Sequence, residues 1–114
     1  MDFKYVYKIC NKMEWIEAKK NMIYKGSKKD IEDGYIHFSN KEHLKNILDK
    51  FFSNQKDLVL LKIEALKLDN LIYEQASNGE MYPHLYSSLD TSFVVNEYEI
   101  NLNKDGSYDL PIEI

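Results

Sequence analysis

The segment from Asp57 to Glu64 constrains the fold most, because Leu58, Val59, Leu60, Leu61 and Ile63 leave almost no polar alternation. A strand that shows one face to water reads apolar-polar-apolar; one covered on its faces reads as a nearly continuous apolar run. Leu58 to Leu61 is the longest unbroken apolar stretch, far short of the roughly 18 residues of a membrane helix. A buried strand therefore needs enough other chain to cover it. With 114 residues, 44% hydrophobic and 13% aromatic, the chain suffices for one domain, 1–114, burying roughly two-thirds of its unfolded surface.

The remaining elements follow from periodicity. Residues 3–10 alternate, with Phe3, Tyr5, Tyr7 and Ile9 on one face and Lys4, Val6, Lys8 and Cys10 on the other, as in a half-buried strand. Asn11 and Glu14 resemble a capping box, opening a helix with Trp15, Ala18 and Met22 on one stripe. A polar connection runs from Gly26-Ser27 to the turn at Asp33-Gly34. Ser39 to Glu42 reads as a second capping box, ahead of a helix with Leu44, Ile47, Leu48, Phe51 and Phe52 facing the core. Leu71 to Gln75 and Phe93 to Ile100 read as strands, and Asp105-Gly106 predicts a C-terminal hairpin within 101–114. Pro83 demotes Met81 to Leu89 to an edge strand or ordered loop. The sum is an α+β domain with small, mostly antiparallel sheets and two early helices.

Charge excludes some functions. All 15 basic residues are lysines, so no guanidinium fork is available to grip a phosphate or carboxylate. A net charge of -4 with scattered lysines gives no clear electrostatic footprint for nucleic acid, which disfavours that class of partner without excluding it. Met1-Asp2-Phe3-Lys4 has no apolar signal core, and the expected location is the cytoplasm, away from membranes. The single cysteine, Cys10, reads as a small buried hydrophobe.

Chemistry concentrates in two short segments. Asp33-Gly34-Tyr35-Ile36-His37-Phe38-Ser39 places Tyr35, His37 and Ser39 on one face of an extended chain, with Ile36 and Phe38 on the other. Tyr82-Pro83-His84-Leu85-Tyr86 places Tyr82, His84 and Tyr86 together, with Pro83 stiffening the backbone before the imidazole. Plainer readings stand beside these: Ser39 as a helix N-cap, Asp33-Gly34 as turn chemistry, His37 as a satisfied structural histidine, and His43 as an exposed bystander in the first turn of the second helix. A metal site from His37, His84 and a carboxylate such as Asp33 or Glu74 is a minor alternative, since 47 residues separate the imidazoles.

Both segments resemble the hallmark motifs of the family known as domain of unknown function 952. Tyr7-Lys8-Ile9, Trp15, Gly26-Ser27 and Tyr73-Glu74 also fit, and the resemblance covers roughly residues 5–100. Two departures exist: Ser87-Ser88-Leu89 stands where the family usually has Gly-Pro-Leu, and Tyr73 replaces a frequent tryptophan.

The resemblance implies a fold similar to that of ADP-ribosyltransferases, which bind NAD between two small sheets. In that wider group a histidine or arginine and a hydroxyl residue hold the nucleotide, a tyrosine stacks on nicotinamide, and a glutamate bonds a ribose hydroxyl. The missing arginine sets this chain apart from the arginine-led triads and from the RNA 2'-phosphotransferases of that fold. The resemblance thus implies binding of NAD or a related nucleotide. Asp33, Tyr35, His37, Ser39 and Tyr86 would line the site, while Glu74 and His84 would carry any glycosidic-bond or ADP-ribosyl-transfer chemistry. The alternative is a non-catalytic domain of the same fold that binds a small ligand or a protein. Oligomeric state is not legible.

Overall fold

A computed structural model describes residues 4–110, and the far end of the expected C-terminal hairpin lies outside them. The buried run forms β4 (Leu58–Glu64), and it is covered on both faces. It sits between β1 (Tyr5–Asn11) and β8 (Val94–Leu102), antiparallel to each. The short β9 (Tyr108–Asp109) pairs with β8, completing a four-stranded sheet and confirming the C-terminal turn.

Alternation along β4 distributes its side chains between two apolar layers. Val59, Leu61 and Ile63 pack with Val6, Cys10, Trp15, Ile36, Phe38 and Leu85. Leu58 and Leu60 pack with Tyr7, Ile9, Leu44, Leu48 and Ile100 on the opposite face. Because each face of β1 is covered, that strand is buried on both sides, against the half-buried expectation. Its Lys8 is 7% exposed.

Helix α1 (Lys12–Asn21) starts at the expected N-cap, with the Asn11 side chain accepting from the N–H groups of Met13 and Glu14, but Glu14 does not return the bond that would complete the expected capping box. Trp15 and Ala18 are buried, but Met22 is 72% exposed, because it closes the helix in a left-handed conformation (φ 60°) that turns its side chain outward. The expected polar connection contains a further helix, α2 (Lys28–Asp33), so among the described residues three α-helices precede β4 rather than two. A reciprocal capping box between Ser27 and Asp30 starts α2, and Gly34 (φ 86°) ends it.

Helix α3 (Leu44–Phe51) buries Leu44 and Leu48 and partly buries Ile47 and Phe52. Phe51 is 63% exposed, since the helix ends there and Phe52 turns inward instead. Ser39 does not cap this helix. It exchanges backbone hydrogen bonds with Tyr7 (2.8 and 2.9 Å), extending the chain onto the free edge of β1. A 3-10 turn at Lys41–His43 leads into α3, with Asn40 at its start.

The second motif lies on a three-stranded sheet. Its middle strand is β6 (Met81–Leu85), flanked by β3 (Ile36–His37) and β5 (Leu71–Gln75). Pro83 is thus in a central strand and not at an edge. Its carbonyl accepts from the Phe38 N–H (2.9 Å), and an antiparallel residue points N–H and C=O the same way. The missing donor therefore faces the end of two-residue β3, where the ladder stops anyway, and the five-residue pairing with β5 is untouched. A two-stranded ribbon, β2 (Ile23–Tyr24) with β7 (Leu89–Asp90), completes the architecture. The α+β class and antiparallel pairing match the expectation. Among the described residues, no helix is long and apolar enough to cross a membrane.

Candidate functional site

The three-stranded sheet has one buried and one open face. Ile36, Phe38, Leu71, Tyr73 and Leu85 point into the core, so alternation turns His37, Ile72, Glu74, Tyr82 and His84 outward. His37 and His84 are register partners on β3 and β6, which brings two imidazoles 47 positions apart in sequence to 5.5 Å between ring centroids. Tyr35 stacks on His84 at 4.1 Å and 21°, with its centroid 4.6 Å from that of His37 and 5.1 Å from that of Tyr86.

Glu74 is a diagonal neighbour of His84 across the β5–β6 pair, close enough for a long side chain to reach. Its Oε1 lies 2.8 Å from His84 Nδ1 and also accepts from the Tyr86 hydroxyl. The Tyr86 bond, then the His84 bond, hold the Glu74 carboxyl below its ordinary range, while the same contact pushes the Tyr86 phenol up to about 12. An ionised carboxylate only accepts, so His84 Nδ1 carries a proton and donates it. Glu74 Oε2 and His84 Nε2 have no hydrogen-bond partner among the described residues.

The environment of His37 rests on Asp30, a residue that sequence reasoning missed. Asp30 is 2% exposed, and its Oδ1 lies 2.6 Å from His37 Nδ1 and accepts from the His37 N–H at 3.1 Å. Its Oδ2 meets Lys8 Nζ at 2.7 Å and the Ser27 N–H at 2.8 Å. Lys8 Nζ also donates to the His37 carbonyl at 3.0 Å. Burial alone would raise the Asp30 carboxyl, but the His37 bond, the Lys8 ammonium and the Ser27 N–H outweigh it and hold it well below the usual carboxylate range. Asp33, one turn along α2, places Oδ2 at 3.0 Å from His37 Nε2, so both ring nitrogens face carboxylate oxygens. The signal for Asp30 was present as Ser27-x-x-Asp30, a capping box with aspartate in place of the usual glutamate or glutamine.

The structure thus brings Asp33, Tyr35, His37, Glu74, His84 and Tyr86 into one cluster. Ser39 stays apart: it is buried against β1, and among the described residues no hydrogen bond joins its hydroxyl to the histidines. Tyr82 shares the open face but packs against His43 at 4.8 Å instead. His43 is not an exposed bystander. Its side chain is 13% exposed, with Nε2 3.6 Å from Glu80 and a buried Nδ1 lacking a hydrogen-bond partner. Among the described residues, no group of three or more histidine, cysteine or carboxylate side chains is arranged to hold a metal ion. His37 could join one only by giving up a carboxylate. Cys10 is buried, and burial pushes its thiol up to about 12, matching its reading as a core residue. Two surface cavities, of about 250 and 530 Å3, are lined by residues outside the cluster, around Lys12 and Glu99 and around Met13 and Tyr24.

Known proteins supply the frame for these observations. The chain is similar to protein CC0527 from Caulobacter crescentus, at 38% identity over 92% of this chain and 93% of that one; the crystal structure matches with a TM-score of 0.88. A doubly substituted form of that protein matches at 37% identity and the same TM-score of 0.88, and its solution NMR structure at 38% and 0.81, covering 90% of each chain. No curated protein matches the chain. The model of the family described as protein of unknown function (DUF952) matches residues 9–97, which include both histidine motifs, and the chain belongs to that family.

Proposed function

We propose that the open face of the β3–β6–β5 sheet binds NAD or a related nucleotide, in a site of the ADP-ribosyltransferase kind, and acts on its N-glycosidic bond. The observation that carries the reading is the half-used carboxylate. Glu74 is anchored through Oε1 by His84 and Tyr86, and its Oε2 has no hydrogen-bond partner among the described residues, beside a tyrosine-imidazole stack. A carboxylate fixed in this way can accept from a ribose hydroxyl and stabilise positive charge developing at C1'. His84, oriented through Nδ1, keeps Nε2 available for a proton.

In the proposed reaction the bond from C1' to the nicotinamide nitrogen breaks, and nicotinamide leaves with the bonding electron pair. An acceptor hydroxyl or water forms the new C1'–O bond, and its proton passes to His84 Nε2. Tyr35 and Tyr86 offer ring surface to the base, while His37, held by Asp30 and Asp33, walls the other side. The test is nicotinamide release from NAD by the wild-type protein. Release should fall by about a hundredfold in Glu74→Gln, the scale of losing one preorganised electrostatic contact. Wild-type release no faster than that of Glu74→Gln would count against it.

One observation favours a non-catalytic binding domain as the second reading. Tyr35 already stacks on His84, so one face of that tyrosine is occupied by the protein itself. The cluster would then be a rigid plate for a ligand or partner, and Glu74→Gln would weaken binding without any nicotinamide being released.

A further inference from the structure

Building on the nucleotide reading, we propose that the site selects the cationic end of its ligand, an N-linked heteroaromatic cation, and places no requirement on phosphates. Two lysines are bound to the carboxylates around His37. Lys8 is buried and bound to Asp30 at 2.7 Å, and Lys29 is bound to Asp33 Oδ1 at 3.2 Å. Each of these ammonium groups is already matched by a carboxylate, and the chain has no arginine to supply another. A pyrophosphate laid on this face would meet Asp33 and Glu74 without an uncommitted cation from either lysine.

A flat cation meets the opposite situation. Glu74 Oε2 has no hydrogen-bond partner among the described residues, and the Glu74 side chain is 41% exposed. Tyr86 is 42% exposed and offers a ring face, to which cations are attracted through the quadrupole. Ile72, the register partner of His84, is 50% exposed on the same sheet face and supplies apolar surface for the uncharged edge of a ring. Carboxylate, aromatic face and aliphatic edge are the elements that recognise a heteroaromatic cation. The same charge must be lost when the glycosidic bond breaks, so a site that binds it also senses the bond that is intact.

Calorimetric titration of the wild-type protein with four probes tests this. Nicotinamide riboside carries the cation without phosphates, ADP-ribose the phosphates without the cation, NADH a neutral ring, and NAD both features. Nicotinamide riboside should bind within about threefold of NAD, and ADP-ribose and NADH at least about tenfold more weakly, as expected for losing a cation–π and carboxylate contact. Glu74→Gln should remove most of that preference. ADP-ribose or NADH binding as tightly as NAD would overturn the cation selection while leaving nucleotide binding intact. Failure of all four to bind would overturn both.

Discussion

Glu74 Oε1 lies 2.8 Å from His84 Nδ1, on neighbouring strands whose pairing makes the two residues diagonal neighbours on one open face. The contact orients the imidazole through one nitrogen and leaves the other available. The same oxygen accepts from Tyr86, so one carboxylate organises a histidine and a tyrosine at once.

That shared oxygen can be detected without a ligand. The Glu74 bond pushes the Tyr86 phenol up to about 12. In Glu74→Gln the phenol should return toward its ordinary value near 10, seen as tyrosinate absorbance growing at lower pH than in wild type. An unchanged titration would mean the contact does not persist in solution.

The buried pair beneath His37 should dominate stability. Asp30→Asn leaves Lys8 charged, buried and unmatched, and should cost about 3–5 kcal/mol in chemical denaturation. Replacing both, as Lys8→Met with Asp30→Leu, should recover part of that loss, because an apolar pair also fills the space; the missing Ser27 cap and His37 bond prevent full recovery.

Acid should act through the same carboxylate. The folded value of Asp30 lies below its ordinary value near 3.8, so the unfolded chain takes up the proton first. Its contribution is fully present above that ordinary value and is lost as pH falls below it toward the folded value. Wild-type stability should therefore drop steeply below about pH 4, and the drop should be shallower in Asp30→Asn. Equal slopes in unfolding measured across pH 2 to 5 would contradict this.

Gly26 should couple backbone to site. It has φ 105°, and a Cβ there would sit 2.6 Å from Asp30 Cβ. Gly26→Ala should destabilise by about 1–3 kcal/mol from backbone strain and displace Asp30, with the His37 ring signals shifting in the NMR spectrum. A silent substitution would mean that α2 accommodates the clash.

Much of this architecture was legible because periodicity reports burial. The apolar run of β4, the N-cap at Asn11 and the stripe of α3 apart from Phe51 each gave one reading that tertiary packing kept. The two histidine motifs were also visible, and strand pairing brought them together. Helix α2 was not, because Lys-Lys-Asp-Ile-Glu-Asp has no apolar stripe; it is held by its caps and by Asp30 turned inward. Asp30 and Lys8 were hidden for a related reason: each looks solvated in sequence, and only their mutual contact makes burial tolerable. Ser39 misled because capping residues also serve as ordinary strand residues, and its place was decided by the free edge of β1.

The most direct test of the nucleotide site is the shift in melting temperature of wild type, Glu74→Gln and His84→Gln on titration with NAD. A ligand that binds only the folded state must raise the melting temperature, and the rise grows with the logarithm of ligand concentration once that exceeds Kd. A concentration-dependent rise for wild type, lost in both variants while they stay folded, is the expected result. No rise at millimolar NAD, or a rise that both variants retain in full, would contradict it.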